Sequence, residues 1–509
     1  MYPVLKKIAV TAVVSSVLFT SACFAEDSAG NKAADGNRIT IGGMSSPDSN
    51  LSPLSDDALM LSQWAVGETL TRLDEDNVAQ PLLAQSWEQI GETTWRFTIR
   101  DGVKFHDGTE LTAQQAADAL NFANTASPQP RVLDSVDYTF SADGADVIVE
   151  SAQPDPLVAE MLSSPNLMIL AEAAYGDGTI DPIGHGTGPF ELVAVDGNSS
   201  ATMEAFDDYW GEPAALAGFE AQFIPDPTAR SAAVRTGTDV VTSLSPTTLT
   251  EVDPERIVEV ATARTTTLHF NTDSGVFSDP AMRTAAAEAI DTSTLVDTVF
   301  EGYGDVAEGF FGPALPWAQP LRSEDDYTKE LEKRVPAASP EDVKGTEITL
   351  ATYTDRAELP ELAVRIEQYL EDAGFVVTQE VRDYDYIEQD AFDGKFDLFI
   401  LSRNTILDSG DPVAFLTSDY SCDGSYNLSL FCDPEVDQLI DTAASTEVGP
   451  DRQKAIMDVE AALLSRLASL PLVNEVGLNG ESDRVNGVVH DPLSRRLITE
   501  STTTTESNQ

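Results

Sequence analysis

The chain has 509 residues, a length typical of about three domains or sub-domains in one polypeptide. Aspartate and glutamate number 86 against 30 lysines and arginines, so the formal net charge is −56. This balance excludes nucleic-acid binding and direct docking on an anionic lipid surface, which both need a basic face, while 42% hydrophobic residues indicate a globular chain.

The N-terminal residues indicate a secretion signal. Two lysines precede an apolar run from Ile8 to Phe19, and small residues come directly before Cys23. This arrangement resembles a bacterial lipobox, in which the cysteine becomes the lipid-modified N-terminus, although Thr20 stands where the pattern prefers leucine. Secretion without a lipid is the alternative. We expect a signal peptide over 1–22, a flexible tether over 23–37 and an extracytoplasmic chain, either periplasmic or held at the outer face of the cell membrane by its lipid alone.

The next strong signals are a hairpin and a helix. Trp95–Arg100 alternates apolar and polar residues, and Asp101-Gly102 favours a turn into Val103–Phe105, which predicts a β-hairpin. Thr112 and Gln115 then have the spacing of a capping box, and apolar residues follow at helical spacing. We therefore expect an amphipathic helix that begins at this cap.

A βαβ unit is predicted in the last third of the chain. Alternating residues precede a helical face over Leu359–Ala373, Gly374 occupies the position of a helix C-cap, and Phe375–Val377 reads as a strand. A strand, a helix and a strand within such a short segment imply parallel strands. Another buried strand covers Phe396–Leu401, and the polar segment 403–412 follows its carboxyl end, where ligands bind in open α/β sheets.

Cysteine usage predicts one disulfide. Besides Cys23, the chain has only Cys422 and Cys432, and two thiols this close in an exported protein most simply form a bond. A redox or metal-binding role is the alternative, but there is no C-x-x-C spacing and no nearby histidine.

Motifs for catalysis, metals and cofactors are absent from the sequence. The four histidines are far apart, and there is no phosphate-binding loop, dinucleotide fingerprint or G-x-S-x-G nucleophile elbow. Gly184–Pro189 is superficially similar to an oxyanion loop, but without the elbow it indicates a tight backbone crossing. We therefore predict neither a metal site nor a cofactor, and we do not expect an enzyme.

Further motifs occur in order along nearly the whole chain. The most specific stretch runs from Trp95 to Leu120, and the others are Glu68–Glu88, Gly186–Phe190, Tyr209–Gly211, Ile224–Asp226, Phe270–Asp291, and Asn427 with Cys432 and Asp437. Together they resemble the extracytoplasmic solute-binding proteins of ABC importers, family 5, which is the oligopeptide-, dipeptide- and nickel-binding class.

The resemblance implies an α/β, two-lobed periplasmic-binding-protein-like fold (class II, cluster C), with mixed sheets, a hinge and an extra domain. Lobe I would comprise 38–60, 180–265 and 478–500, the extra domain 61–179, lobe III 266–477 and a disordered tail 501–509. The protein would be a monomer that captures short peptides and delivers them to a heterodimeric or homodimeric membrane permease with a cytoplasmic ATPase.

The resemblance also suggests ligand contacts. In peptide binders of this class an aspartate shortly before an acidic-Pro pair holds the α-ammonium group, and Asp408 matches it, with turn capping as the alternative. Arg403 and Arg356 follow strand ends and are candidate carboxylate clamps, with surface ion pairing as the alternative. Tyr420 and Tyr426 are candidate walls of the cleft, unless they serve core or loop packing.

Nickel-type members suggest a further comparison. They hold a metal chelate through Arg-x-x-Trp and Pro-Arg, whereas this chain has Arg131-Val132-Leu133-Asp134 and Pro165-Asn166 at the corresponding places. Arg131 is kept, but the tryptophan and second arginine are lost, which favours a peptide ligand. A nickel-chelate, metallophore or opine-type receptor is the alternative within the class, and a secreted peptidase or esterase is the alternative from another class.

Overall fold

A computed structural model describes residues 37–47, 50–133, 136–176, 179–406 and 409–505. The expected signal peptide, the lipidation site Cys23 and almost all of the tether lie outside these ranges, as do Asp134 and Asp408. Within the described ranges, no helix combines the length and apolar character needed to cross a bilayer.

The strands extend from one end of the described chain to the other. They are Arg38–Gly43 (β1), Thr71–Leu73 (β2), Ala79–Pro81 (β3), Ala84–Gly91 (β4), Thr94–Ile99 (β5), Tyr138–Asp143 (β6), Asp146–Ser151 (β7), Phe190–Asp196 (β8), Ser200–Ala205 (β9), Gly218–Phe223 (β10), Val240–Val241 (β11), Ile257–Phe270 (β12), Asp305–Val306 (β13), Glu347–Tyr353 (β14), Val376–Arg382 (β15), Leu398–Asn404 (β16), Ser469–Glu481 (β17), Val485–Asn486 (β18) and Thr503–Thr504 (β19).

Most helices belong to the second half of the chain. They are Ala58–Gln63 (α1), Ala113–Asn124 (α2), Val158–Met161 (α3), Pro227–Thr236 (α4), Pro280–Ala289 (α5), Thr292–Val299 (α6), Ala318–Leu321 (α7), Asp325–Leu331 (α8), Pro340–Val343 (α9), Glu358–Ala373 (α10), Tyr384–Phe392 (α11), Pro412–Tyr420 (α12), Pro434–Ser445 (α13) and Pro450–Arg466 (α14).

The largest sheet of the described chain has the strand order β15-β14-β16-β12-β17-β11-β1-β10-β9-β8, and β13 pairs with β17 beside this path. The long strands β12 and β17 are antiparallel neighbours at its centre, and their register shifts between Ala261 and Thr265. Such a bulge bends the strands locally. Below, lobe I denotes β1, β8–β11 and the segments packed on them, lobe III denotes β14–β16 with α5–α14, and the extra domain denotes β2–β7 with α2 and α3.

The predicted βαβ unit is confirmed. Strands β14 and β15 pair in parallel, α10 buries the face that includes Leu359, Leu362 and Ile366, and Gly374 caps the helix with φ of 114°. Strand β16 also pairs in parallel with β14. The carboxyl ends of β14 and β16 therefore lie at the same edge of the sheet, as a binding site there requires.

In the extra domain, the predicted helix after Thr112 is confirmed, but the predicted hairpin of Trp95–Arg100 with Val103–Phe105 is wrong. The Thr112 hydroxyl accepts from the Gln115 amide, and Gln115 accepts from the Thr112 amide, which completes the capping box of α2. Strand β5 pairs instead with β4 and β7. Val103 and Phe105 are fully buried, and Gly102, with φ of 77°, turns the chain away from β5. The predicted partner strand is thus core-forming loop.

Buried apolar side chains form a separate cluster in the extra domain and another in lobe I. Leu61, Trp64 and Val66 fall in the expected extra domain by number but pack into the lobe I cluster. In lobe III, one cluster surrounds α10 and another surrounds α14. Each region has an apolar cluster, and Leu73 of β2 in the extra domain joins the lobe III cluster that surrounds α14.

The expectation of a disordered tail over 501–509 is wrong for residues 501–505, which are ordered. Strand β19 pairs with β18, and the buried Thr502 donates its hydroxyl to the Gly487 carbonyl at 3.0 Å. Threonine favours extended structure because it is β-branched, so the threonine run suits a strand. Residues 506–509 lie outside the described ranges.

The glycine-rich stretch Gly184–Pro189 forms the tight crossing that the sequence indicated. A Cβ at Gly186 would overlap the Val66 carbonyl, and a Cβ at Gly188 would overlap the Ala65 carbonyl. The Gly188 amide donates to Val66 at 3.0 Å. Glycine is required here because two backbones touch.

Replacing Gly188 with alanine is expected to destabilise the protein, because the new methyl group overlaps backbone. Overpacking of this kind typically costs about 1–3 kcal/mol of unfolding free energy. Gly43→Ala is the matched control, since its nearest neighbour, the Thr242 hydroxyl, lies 3.9 Å from the new carbon. Urea unfolding followed by circular dichroism measures both variants, and equal midpoints would contradict the crossing.

Candidate ligand-binding site

The end of β16 carries a desolvated ion pair. Arg403 donates from Nε and Nη2 to the Asp419 carboxylate at 2.9 and 3.0 Å, and its guanidinium lies 3.8 Å from the ring centre of Tyr426. The Asp419 side chain is 1% exposed and that of Arg403 is 17% exposed. Burial raises the pKa of Asp419, and the charge of Arg403 opposes that rise.

Arg131 of the extra domain lies near this pair. It is exposed, and its positive charge also opposes the rise in the pKa of Asp419. The structure thus brings Arg403 and Tyr426 together, and Arg131, from a distant part of the chain, acts electrostatically on the aspartate that Arg403 binds. This arrangement spans lobe III and the extra domain.

Arg356 is held inside lobe III by an extensive network. It donates to Glu358 at 2.9 Å, to the Ser402 hydroxyl at 3.1 Å and to Glu475 at 2.7 Å. Glu475, on β17, also accepts from the Thr266 hydroxyl at 2.7 Å. All three guanidinium nitrogens are therefore engaged, and Arg356 connects the end of β14 to the central strands.

The two predicted tyrosines have different surroundings. Tyr420 is fully buried, its hydroxyl pairs with that of Ser469 at 2.7 Å, and its ring packs on Phe310 and Phe415. This placement favours the core-packing alternative. Tyr426 is half-buried and lies beneath Arg403, so it is the tyrosine positioned at the site.

The loop after β16 reaches the extra domain. Asp408 lies outside the described residues, but Gly410 is described, with φ of 73°, and packs directly on Leu73 of β2. Farther along, Cys422 and Cys432 form the expected disulfide, with their Cα atoms 4.4 Å apart. Lobe III and the extra domain are thus in contact through the loop after β16.

The positions that correspond to the nickel-type Pro-Arg are structural here. The Asn166 amide donates to the carbonyls of Pro53 and Ser55 at 2.9 and 3.0 Å. Across the described ranges, no group of three or more histidine, cysteine or acidic side chains is arranged to hold a metal ion.

A cavity of about 520 Å³ opens between lobe I, the extra domain and the C-terminal segment 489–501. The sequence did not single out its charged lining as a site, and the signal that could have done so is the scarcity of basic residues in so acidic a chain. The charged lining residues are Glu68, Arg72, Arg100, Glu212, Asp491, Arg495, Arg496 and Glu500.

Glu68 is the most perturbed acid of this cavity. It is 7% exposed and accepts from the Tyr209 hydroxyl and from Trp210 Nε1, both at 2.9 Å. Burial raises the pKa of Glu68 to about 7, although these hydrogen bonds oppose the rise. Protonated and ionised forms therefore coexist near neutral pH.

Comparison with known proteins places the chain in a family. The model described as "Bacterial extracellular solute-binding proteins, family 5 Middle" matches residues 78–427. The chain belongs to this family. It is therefore a solute-binding receptor of an ABC transporter, and the family is extracytoplasmic. The expected fold class is confirmed as well.

Individual relatives are named for different ligands. The nickel-binding protein NikA of Staphylococcus aureus is 23% identical over 411 residues, covering 77% of this chain and 79% of that protein. The dipeptide-binding protein of Escherichia coli is 25% identical over 459 residues, covering 82% and 84%. A crystal structure of a nickel ABC transporter protein from Bacillus halodurans has a TM-score of 0.75 and 25% identity, covering 92% of this chain and 100% of that chain.

Glu68→Gln is expected to change how stability depends on pH. A carboxyl whose pKa is 4.5 when unfolded and about 7 when folded binds a proton preferentially in the folded state, so its contribution grows as pH falls from above 7 towards 4.5 and is lost as pH rises through 7. The shift corresponds to about 3 kcal/mol.

Urea unfolding of the wild type and Glu68→Gln across this pH range provides the measurement. The unfolding free energy of the variant should rise relative to the wild type with increasing pH. The exposed Glu212→Gln serves as the control on the same cavity wall. A pH-independent difference between Glu68→Gln and the wild type would show that Glu68 does not titrate as described.

Proposed function

We propose that this receptor captures short peptides outside the cell and delivers them to its permease, without making or breaking bonds. The observation that supports this ligand class is the Arg403–Asp419 pair over Tyr426, approached by Arg131 from the extra domain. Fixed charges beside an aromatic face suit a zwitterionic backbone with side chains, because buried ligand charges need ionised partners.

We assign the ligand's carboxylate to Arg403 and its ammonium group to Asp408. Arg403 uses Nε and Nη2 for Asp419, and across the described ranges its Nη1 makes no hydrogen bond, which leaves that nitrogen for the ligand. Asp408 is assigned from its sequence context alone. Arg356 already donates from each nitrogen, so we give it a positioning role for the end of β14.

The proposed capture step is closure of lobe III about β12 and β17. These strands run through the centre of the sheet with a bulge near Ala261, and a few bending residues are sufficient for a hinge. A ligand that contacts both sides stabilises the closed form by its differential affinity for it. We also propose a lipid on Cys23 that keeps the receptor near its permease.

A nickel chelate is the second candidate ligand. It is favoured by relatives named for nickel and by the retained Arg131. Against it, Asn166 occupies the position of the second arginine, with its amide bonded to backbone carbonyls. A chelate would therefore have to be held with fewer cations than the nickel-type pattern provides.

A thermal-shift panel of di- to pentapeptides, nickel with chelators, and opines tests the ligand class. A peptide at 100 times its dissociation constant should add about 2.7 kcal/mol of stability. Asp408→Asn should weaken peptide binding at least tenfold, because the ammonium group loses its charged partner. The control is Asp423→Asn, in an exposed loop nearby.

Three outcomes would count against the proposal. No response to any peptide would refute the ligand class, and a response to nickel chelates alone would support the second candidate. Hydrolysis of a bound peptide during long incubation, detected by mass spectrometry, would show that the protein is an enzyme instead of a receptor.

A further inference from the structure

The cavity beside Glu68 is separate from the proposed peptide site. Among the residues that the structure describes, none of lobe III lines it. Its walls come from lobe I, the extra domain and the C-terminal segment 489–501. One lining residue, Leu73, also contacts Gly410 of the loop after β16, so lobe III meets the cavity wall at this side chain. Its volume of about 520 Å³ is in the usual range for small-molecule sites.

The charge of the cavity differs from that of the molecule. Four of the chain's 30 basic residues line it together with four acids, whereas the whole chain carries −56. A lining with balanced charges does not attract a simple cation or anion strongly. Such a lining suits a ligand that carries one positive and one negative charge.

Several of these charges are already used by the protein. Asp491 accepts from the backbone amides of Leu493, Arg495 and Arg496. Arg100 donates to a carbonyl at 3.1 Å and lies 4.3 Å from the ring centre of Trp210. These contacts help to fix the shape of the cavity.

Unpartnered charges of both signs remain in the lining. Within the described ranges, the side chains of Arg72, Glu212 and Glu500 have no hydrogen-bond or ion-pair partner, and all three line the cavity. Of these, Arg72 and Glu500 also act electrostatically on the Tyr209 hydroxyl, which lines the same cavity. They do not pair with each other, so a molecule between them can satisfy both.

We propose that this cavity binds a small zwitterion of the α-amino-acid class, with its carboxylate on Arg72, its ammonium group on Glu500 and its side chain against Tyr209 and Trp210. Charge-assisted hydrogen bonds are the strongest available to such a ligand. The aromatic walls supply apolar area for its side chain. The site goes beyond the proposed peptide receptor and does not depend on it.

Isothermal titration of the full chain with L-leucine tests the site. We expect saturable binding that weakens at least tenfold in Arg72→Ala and in Glu500→Gln. The control is Arg365→Ala on α10, an exposed arginine that likewise has no ion-pair partner within the described ranges. Acetate and ethylammonium, which each carry one charge, should bind at least tenfold more weakly than L-leucine.

A competition experiment distinguishes this site from the peptide cleft. L-Leucine should still bind in the presence of a saturating peptide and in Asp408→Asn. Displacement by the peptide, together with indifference to Arg72→Ala, would assign leucine to the cleft and overturn the second site. Absence of saturable binding at millimolar concentration would overturn it as well, and acetate binding as tightly as leucine would overturn the zwitterion assignment.

Discussion

The antiparallel pairing of β12 with β17 is the constraint on which the rest of the molecule depends. Lobe I strands continue the sheet on one side of this pair and lobe III strands on the other. Glu475, on β17, receives hydrogen bonds from Arg356, Ser402 and Thr266, so the polar network of lobe III is anchored on a strand of that pair. A change in the bend of these strands would therefore move the network and the lobe together.

Because the chain has few basic residues, the arginines that pair with its buried acids are especially important to the fold. Arg322 pairs with the fully buried Glu460, Arg403 pairs with Asp419, and Arg356 joins Glu475 to β14. Because a buried carboxylate without a partner destabilises the fold, each of these arginines stabilises the protein by pairing with one particular buried acid. Arg72 is unusual in lacking such a partner within the described ranges, and this sets it apart from the arginines that hold the fold.

Local signals predicted local structure well. The capping box at Thr112 and the strand–helix–strand unit ending in β15 depend on neighbours within a few residues to some thirty residues, and both formed as expected. Partners that are distant in sequence could not be deduced. The partner of Arg356 on β17, for example, is one acid among 86. The hairpin prediction failed at short range, because β5 pairs with the preceding β4 while Val103 and Phe105 join the apolar cluster that includes α2 residues. Arg72 and Glu500 are far apart in the sequence and line the same cavity only in the folded protein.

The contact between Gly410 and Leu73 joins the lobe III loop to the extra domain. Gly410 has φ of 73° and no room for a Cβ beside the leucine side chain, so the lobe III loop meets the β2–β3 hairpin with bare backbone. Under the proposed closure of lobe III, a side chain added at this position would hold the loop after β16 farther from the β2–β3 hairpin. The absence of a side chain at Gly410 therefore permits the closest approach of the two backbones at this contact.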